Sequence, residues 1–168
     1  MGSRTSCPRR MIFSRRHFCL ALGAAVLLPR RLLFAADTEV FVAETYRDAR
    51  KQTMPYRLFV PPAYDQRKQY PLVLWLCGSA GRGNNNINQI SIGNVIGTHV
   101  WTTPENQAKH PCFVVAPQCP DNESWSEDAK PAAPLTLALE ILSDLQRRFR
   151  IDSRRLYVAV STVITNPT

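Results

Sequence analysis

The sequence predicts an α/β protein built on an open sheet, antiparallel at its start and parallel at its centre. Three observations lead there. Residues 72–76 are uninterruptedly apolar and feed straight into a loop with glycines at 78, 81 and 83; a strand apolar on both faces is a central one, covered on each side. Pro134 opens the clearest helical pattern of the chain, and that pattern lies between two further apolar runs, 113–116 and 156–160. Two shorter runs precede all of these and read as a hairpin-like pair.

Taken in order, residues 38–45 alternate, Val40 and Val42 against Phe41 and Ala43, and form the first strand. The second covers 56–60 and is closed by Pro61 and Pro62, which have no amide to give a sheet interior. Residues 63–70 make a polar turn before the third strand, 72–76. The segment 84–100 fits no single template. Ile87, Ile90, Ile92, Val95 and Ile96 partly follow a helical period, while Gly93, Gly97 and the β-branched residues weaken it.

The fourth strand, 113–116, stops at Pro117, and 118–131 is a polar loop carrying Trp125. A helix over 134–149 follows, its proline placed where a helix has an unpaired amide in any case. Leu135, Ala138, Leu139, Leu142, Leu145 and Phe149 give it one apolar face. Arg147 and Arg148 suit its negative C-terminal end. A fifth strand, 156–160, comes after Asp152, and the right-handed crossover rule places the helix on one face between strands four and five. There are no internal repeats.

Residues 1–36 read as an export leader rather than as part of the fold. Arg4, Arg9, Arg10, Arg15 and Arg16 precede an apolar run over 18–28, which Pro29, Arg30 and Arg31 interrupt. That run is shorter than the ~20 residues a spanning helix needs. Its core, Ser-Arg-Arg-His-Phe-Cys-Leu at 14–20, resembles the twin-arginine export motif. Cleavage is expected near Ala35 or Ala36, and the product is expected in the periplasm or outside the cell. The remaining 37–168 make one domain.

The leader also explains the charge. The chain has 21 basic and 13 acidic side chains, a net +8. Seven of the 21 are leader arginines, and the leader has no acid, which leaves 14 basic against 13 acidic residues beyond it. The basicity therefore belongs to targeting, and nucleic-acid binding is not supported. Contact with a membrane is expected only during export.

Cys77, Cys112 and Cys119 remain after the leader. Cys112 and Cys119 flank a strand; if it is extended they lie ~20 Å apart, beyond the ~7 Å limit for a disulfide. One bridge involving Cys77 stays open, and the odd count leaves a free thiol. No C-x-x-C pair or histidine cluster suggests a metal.

Four blocks carry a family likeness: PYRLFVPPAYD (55–65), YPLVLWLCGSAGRGNNN (70–86), HPCFVVAPQCP (110–120) with Trp125 after it, and IDSRRLYVA (151–159). Together they resemble the α/β-hydrolase superfamily. Within it they look most like the exported carboxylesterase/phospholipase and predicted-peptidase (prolyl-oligopeptidase-like) branch, related to carbohydrate esterases and polyhydroxybutyrate depolymerases. The resemblance implies serine-based ester hydrolysis of small-molecule or polymer esters, with no cofactor and no metal.

In such enzymes a His-Gly-x-Gly-like loop after the third strand gives one N–H of the oxyanion hole. The matching residues are Cys77, Gly78, Ser79, Ala80 and Gly81, so the backbone of Gly78, Ser79 and Ala80 is the candidate hole. Cys77 stands where histidine is usual, which puts the loop's shape in question. The run GSAGRG fits neither dinucleotide nor Walker A spacing.

The family's fifth strand runs into a G-x-S-x-G elbow, where flanking glycines avoid collision in a tight turn. Here residues 156–164 read LYVAVSTVI. Ser161 as nucleophile has Ala159 and Val163 at the glycine positions; Thr162 would have Val160 and Ile164. Ser161 is the catalytic candidate. The family's acid and histidine follow the serine, whereas His17, His99 and His110 all precede it. The expectation is the N-terminal portion of an exported serine hydrolase, its sheet cut after the fifth strand, and inactive as given. The alternative from another class is a non-catalytic exported binding or structural module on the same scaffold.

Overall fold

A computed structural model describes residues 40–161, apart from 92, 128, 129 and 132. The leader with Cys7, Cys19 and His17, and the tail from Thr162, lie outside the described residues. β1 (Val42–Arg47) and β2 (Thr53–Phe59) form an antiparallel hairpin, Val42 opposite Leu58 and Arg47 opposite Thr53. Its turn is closed by Asp48, which accepts the Gln52 amide at 2.7 Å, and by Lys51 in the left-handed region at φ 68°. β2 pairs antiparallel with β4 (Phe113–Pro117), β4 pairs parallel with β3 (Tyr70–Leu76), and β3 pairs parallel with β7 (Ile151–Val160). The sheet order is β1-β2-β4-β3-β7, the open sheet the sequence predicts.

The strand ends differ from the sequence reading because partner ladders, not alternation, set them. β1 covers Val42–Arg47, residues 38 and 39 of the predicted strand lying outside the described residues, and β2 begins at Thr53 rather than 56. β7 begins at Ile151, well before the apolar run. Its first residues make a bulge, the register passing from Tyr70 opposite Ile151 to Leu72 opposite Leu156. Buried Asp152 fills that bulge and accepts the Arg154 amide at 3.0 Å and Arg155 Nε at 2.9 Å.

Each sheet face has its own core. Leu72, Leu74, Phe113 and Val115 lie on one side with Met54 and Leu58. Over them packs the helix α3 (Ala133–Arg148). Val73, Trp75, Val114 and Ala116 lie on the other side with Phe41 and Ile90. The α3 face is rotated from the predicted one. Leu137 and Ile141 are buried with Ala138, Leu142 and Leu145, whereas Leu139 is 49% exposed. Apolar residues cover more than one stripe of this helix, so periodicity alone does not fix which edge meets the sheet. At its C-terminal end Arg148 grips Glu44 with two hydrogen bonds, 2.7 and 2.9 Å, and the Tyr56 hydroxyl donates to the same carboxylate. This ties α3 to the hairpin.

Two short helices cover the second face: α1 (Val95–His99) and α2 (Pro104–Lys109). α1 accounts for part of the ambiguous segment, which also contains a 3-10 turn at Asn88–Ile90. A Cβ on Gly97 would sit 1.9 Å from Trp75 Cη2, so the glycine that weakens the helical pattern is what lets α1 lie on the indole. α2 was not expected from the sequence. Its signal is local: Thr103 caps it by accepting the Asn106 amide at 3.3 Å, and Pro104 follows the cap. The predicted polar loop holds a small hairpin, β5 (Ser126–Glu127) with β6 (Lys130–Pro131).

Candidate active site

β3 and β4 run parallel, so both deliver their C-terminal ends to one rim of the sheet. Beyond β3 the chain makes a 3-10 turn, Ser79–Gly81. Gly81 donates its amide to the Gly78 carbonyl at 2.9 Å and Arg82 donates to Ser79 at 3.2 Å. The amides of Ser79 and Ala80 come too early in the turn to find an acceptor within it, and both residues are exposed. Gly83 has φ +133°, open only to glycine, and donates its amide to the Cys119 carbonyl at 2.9 Å.

Two side chains hold this loop, and sequence reasoning gave neither a role. Trp125 Nε1 donates to the Cys77 carbonyl at 2.8 Å. Fully buried Gln118 donates to the Gly81 carbonyl at 3.3 Å and to Asn85 Oδ1 at 2.9 Å, and accepts the Asn86 amide at 2.6 Å. Both belong to the 110–125 block, so the signal was present. An open polar hollow of about 400 Å³ lies alongside, lined by Thr45, Thr53, Asn84, Asp121 and Asn122 among others.

β7 brings Ser161 to the same rim. The Ser161 amide donates to the Leu76 carbonyl at 3.0 Å, continuing the parallel ladder one step past Val160. A Cβ on Gly78 would lie 3.4 Å from Ser161 Oγ and 3.0 Å from its carbonyl. Gly78, Ser79, Ala80 and Ser161 are therefore brought together. The two described histidines are not. His99 Nδ1 lies 3.0 Å from the Val95 carbonyl and 3.1 Å from Thr98 Oγ1, with its ring edge-on to Phe41. His110 is exposed just before the start of β4, at the opposite rim. Cys77, Cys112 and Cys119 are buried free thiols. Among the described residues no group of His, Cys, Asp or Glu is placed to hold a metal.

A mixed open sheet with its central parallel strands ending at a glycine-rich loop is the arrangement that the resemblance to α/β hydrolases implies. A thermostable esterase of known crystal structure is 37% identical to the chain, with a TM-score of 0.70 over 74% of this chain and 35% of that one. A ferulic acid esterase is similar in fold alone, 17% identical with a TM-score of 0.52, over 71% of this chain and 49% of that one. The chain thus spans about a third of the first and about half of the second. No family model matches it, and the search of curated proteins found no match. The chain has the fold of an α/β hydrolase, and both of these similar structures are esterases.

Proposed function

We propose that the chain supplies the oxyanion-binding part of an ester-hydrolysing centre, with small-molecule esters as its substrate class. The observation that carries this reading is the meeting of Ser161 with the 78–80 loop. The Ser79 and Ala80 amides, which the turn leaves over, are the donors to the developing oxyanion. Removing one such donor from a working hydrolase costs about 3–4 kcal/mol of transition-state stabilisation. Ser161 is the nucleophile candidate, but a serine hydroxyl needs a base at neutral pH. Neither described histidine reaches it, so the 168-residue chain by itself does not turn over esters. That gap is what favours the second reading, a non-catalytic binding module on the same scaffold. We infer from the arginine-pair leader that the chain is exported, and exchanging Arg15 and Arg16 for lysine should retain it in the cytoplasm.

The test is an amide NMR titration of the full chain with a short alkyl phosphonate, an anionic mimic of the tetrahedral state. The Ser79 and Ala80 amide resonances should move, and those of Gly81 and Arg82, already engaged, should move less. Unmoved Ser79 and Ala80 signals would refute the oxyanion reading. Turnover of p-nitrophenyl acetate that disappears in Ser161→Ala would refute the claim that the centre is incomplete.

A further inference from the structure

Two thiols behind the loop take no part in the chemistry above, and they are neighbours. Cys77 directly follows β3 and Cys119 comes just after β4. The register, Leu72 opposite Phe113 and Leu74 opposite Val115, brings Cys77 level with Gln118 and one residue short of Cys119. Were the ladder to run on past Leu74 and Val115, a strand spacing of about 4.8 Å and a rise of about 3.3 Å per residue would put the two Cα atoms about 6 Å apart, inside the window of about 4.4–6.8 Å for a disulfide. The chain instead leaves β4 at Pro117, and there the Cys77 thiol meets the Cys119 amide.

Beyond the strands, the loop holds both cysteines in place. Gly83 donates to the Cys119 carbonyl at 2.9 Å, and a Cβ on Gly81 would lie 2.5 Å from Cys77 Cβ and 3.0 Å from its sulfur. Cys77 and Cys119 are 2% and 0% exposed. Each senses the other. Burial pushes the Cys77 thiol up while the Cys119 amide draws it back; burial, then the neighbouring Cys77, push Cys119 up to about 11. Cys112 sits at the far end of β4, beside Gln107, and is out of reach of both.

We propose that Cys77 and Cys119 are a disulfide pair that staples the oxyanion loop to the turn after β4. The oxidant is a disulfide donor such as oxidised glutathione. One cysteine thiolate attacks the donor, forming a mixed disulfide and releasing one glutathione thiolate. The second then displaces the other glutathione, so two protein S–H protons leave, one protein S–S bond forms, and the donor ends as two thiols. Burial and raised thiol pKa make this slow in the folded chain, so the bond closes as the chain folds. The inference stands independently of whether the site hydrolyses esters.

The experiment refolds the reduced, denatured 168-residue chain in mixed reduced and oxidised glutathione, alkylates the remaining thiols, and digests with trypsin without reductant. The peptide 69–82, which carries Cys77, should emerge joined to the peptide that begins at His110, with fragmentation placing the bond on Cys119. The link should persist in Cys112→Ser and vanish in Cys119→Ser. Because fragmentation of the wild-type peptide identifies the sulfur directly, a variant that fails to fold does not decide the matter. Full alkylation of Cys77 and Cys119, or a bond from Cys77 to Cys7, Cys19 or Cys112, would overturn the proposal.

Discussion

Replacing Gly97 by alanine brings two opposing effects into one short helix. Alanine is the better helix former by about 1 kcal/mol, so propensity alone expects a more stable protein. The new methyl, however, would lie 1.9, 2.4 and 2.6 Å from Trp75 Cη2, Cζ3 and Cζ2, where carbon atoms rest about 3.5–4.0 Å apart. Trp75 is 7% exposed and packed within the second core, so its ring has no room to retreat and α1 must lift from the sheet. Overpacking of this kind costs about 1–3 kcal/mol, and the depth of the overlap puts Gly97 at the upper end. The net expectation is a loss of about 2 kcal/mol, or roughly 5–10 °C in melting temperature for a domain of this size. Thermal melts and urea midpoints would measure it, with the near-ultraviolet tryptophan signal changing in parallel. Gly93→Ala is the control: at φ +79° with nothing within 4 Å, it strains the backbone without touching Trp75 and should leave that signal unchanged. An unchanged or higher melting temperature for Gly97→Ala would refute the steric argument.

The Glu44–Arg148 grip gives a pH-dependent prediction. The Arg148 hydrogen bond, with lesser help from Tyr56, holds the Glu44 carboxyl below its ordinary range against the effect of burial. A depressed carboxylate contributes stability above its unfolded pKa and loses it as pH falls. Arg148→Ala should therefore cost about 1 kcal/mol at pH 7, discounted for partial exposure, and almost nothing near pH 2, as read from urea midpoints at both pH values. Gln118→Leu leaves the Asn86 amide and Gly81 carbonyl without their partner. It should lower stability by about 2–4 kcal/mol and speed hydrogen exchange of the 79–86 amides, whereas unchanged exchange there would remove Gln118 from its bracing role.

The central sheet was legible because its strands are written as solid apolar runs. Residues 72–76 and 113–116 can be buried on both faces and little else, and the α3 pattern between 113–116 and 156–160 leaves one sensible crossover. What escaped has physical causes. α2 has one buried residue, Gln107, and hence no apolar period to read. The α3 face was misphased because Leu135, Leu137, Leu139 and Ile141 offer competing stripes. The loop glycines and Ser161 were each readable as chemistry-bearing types. Their closeness is implied by the family resemblance and not by the residue pattern itself, since it depends on the β3–β7 register and the bulge at 152–155. Gln118 and Trp125 were invisible as braces because an amide or indole in a polar loop has many possible partners.

That bulge has a consequence for how the chain tolerates changes of length. Ser161 is positioned by counting: every paired residue from Leu156 to Val160 advances it by about 3.3 Å along the strand. One residue added or removed between 152 and 155 can be absorbed where the chain is already out of step with β3. The same change between 156 and 160 would move the hydroxyl along the rim by a full residue and turn it to the opposite side of the sheet. Insertions and deletions a few positions apart should thus have opposite fates, one leaving the hydroxyl in place and the other separating it from Gly78.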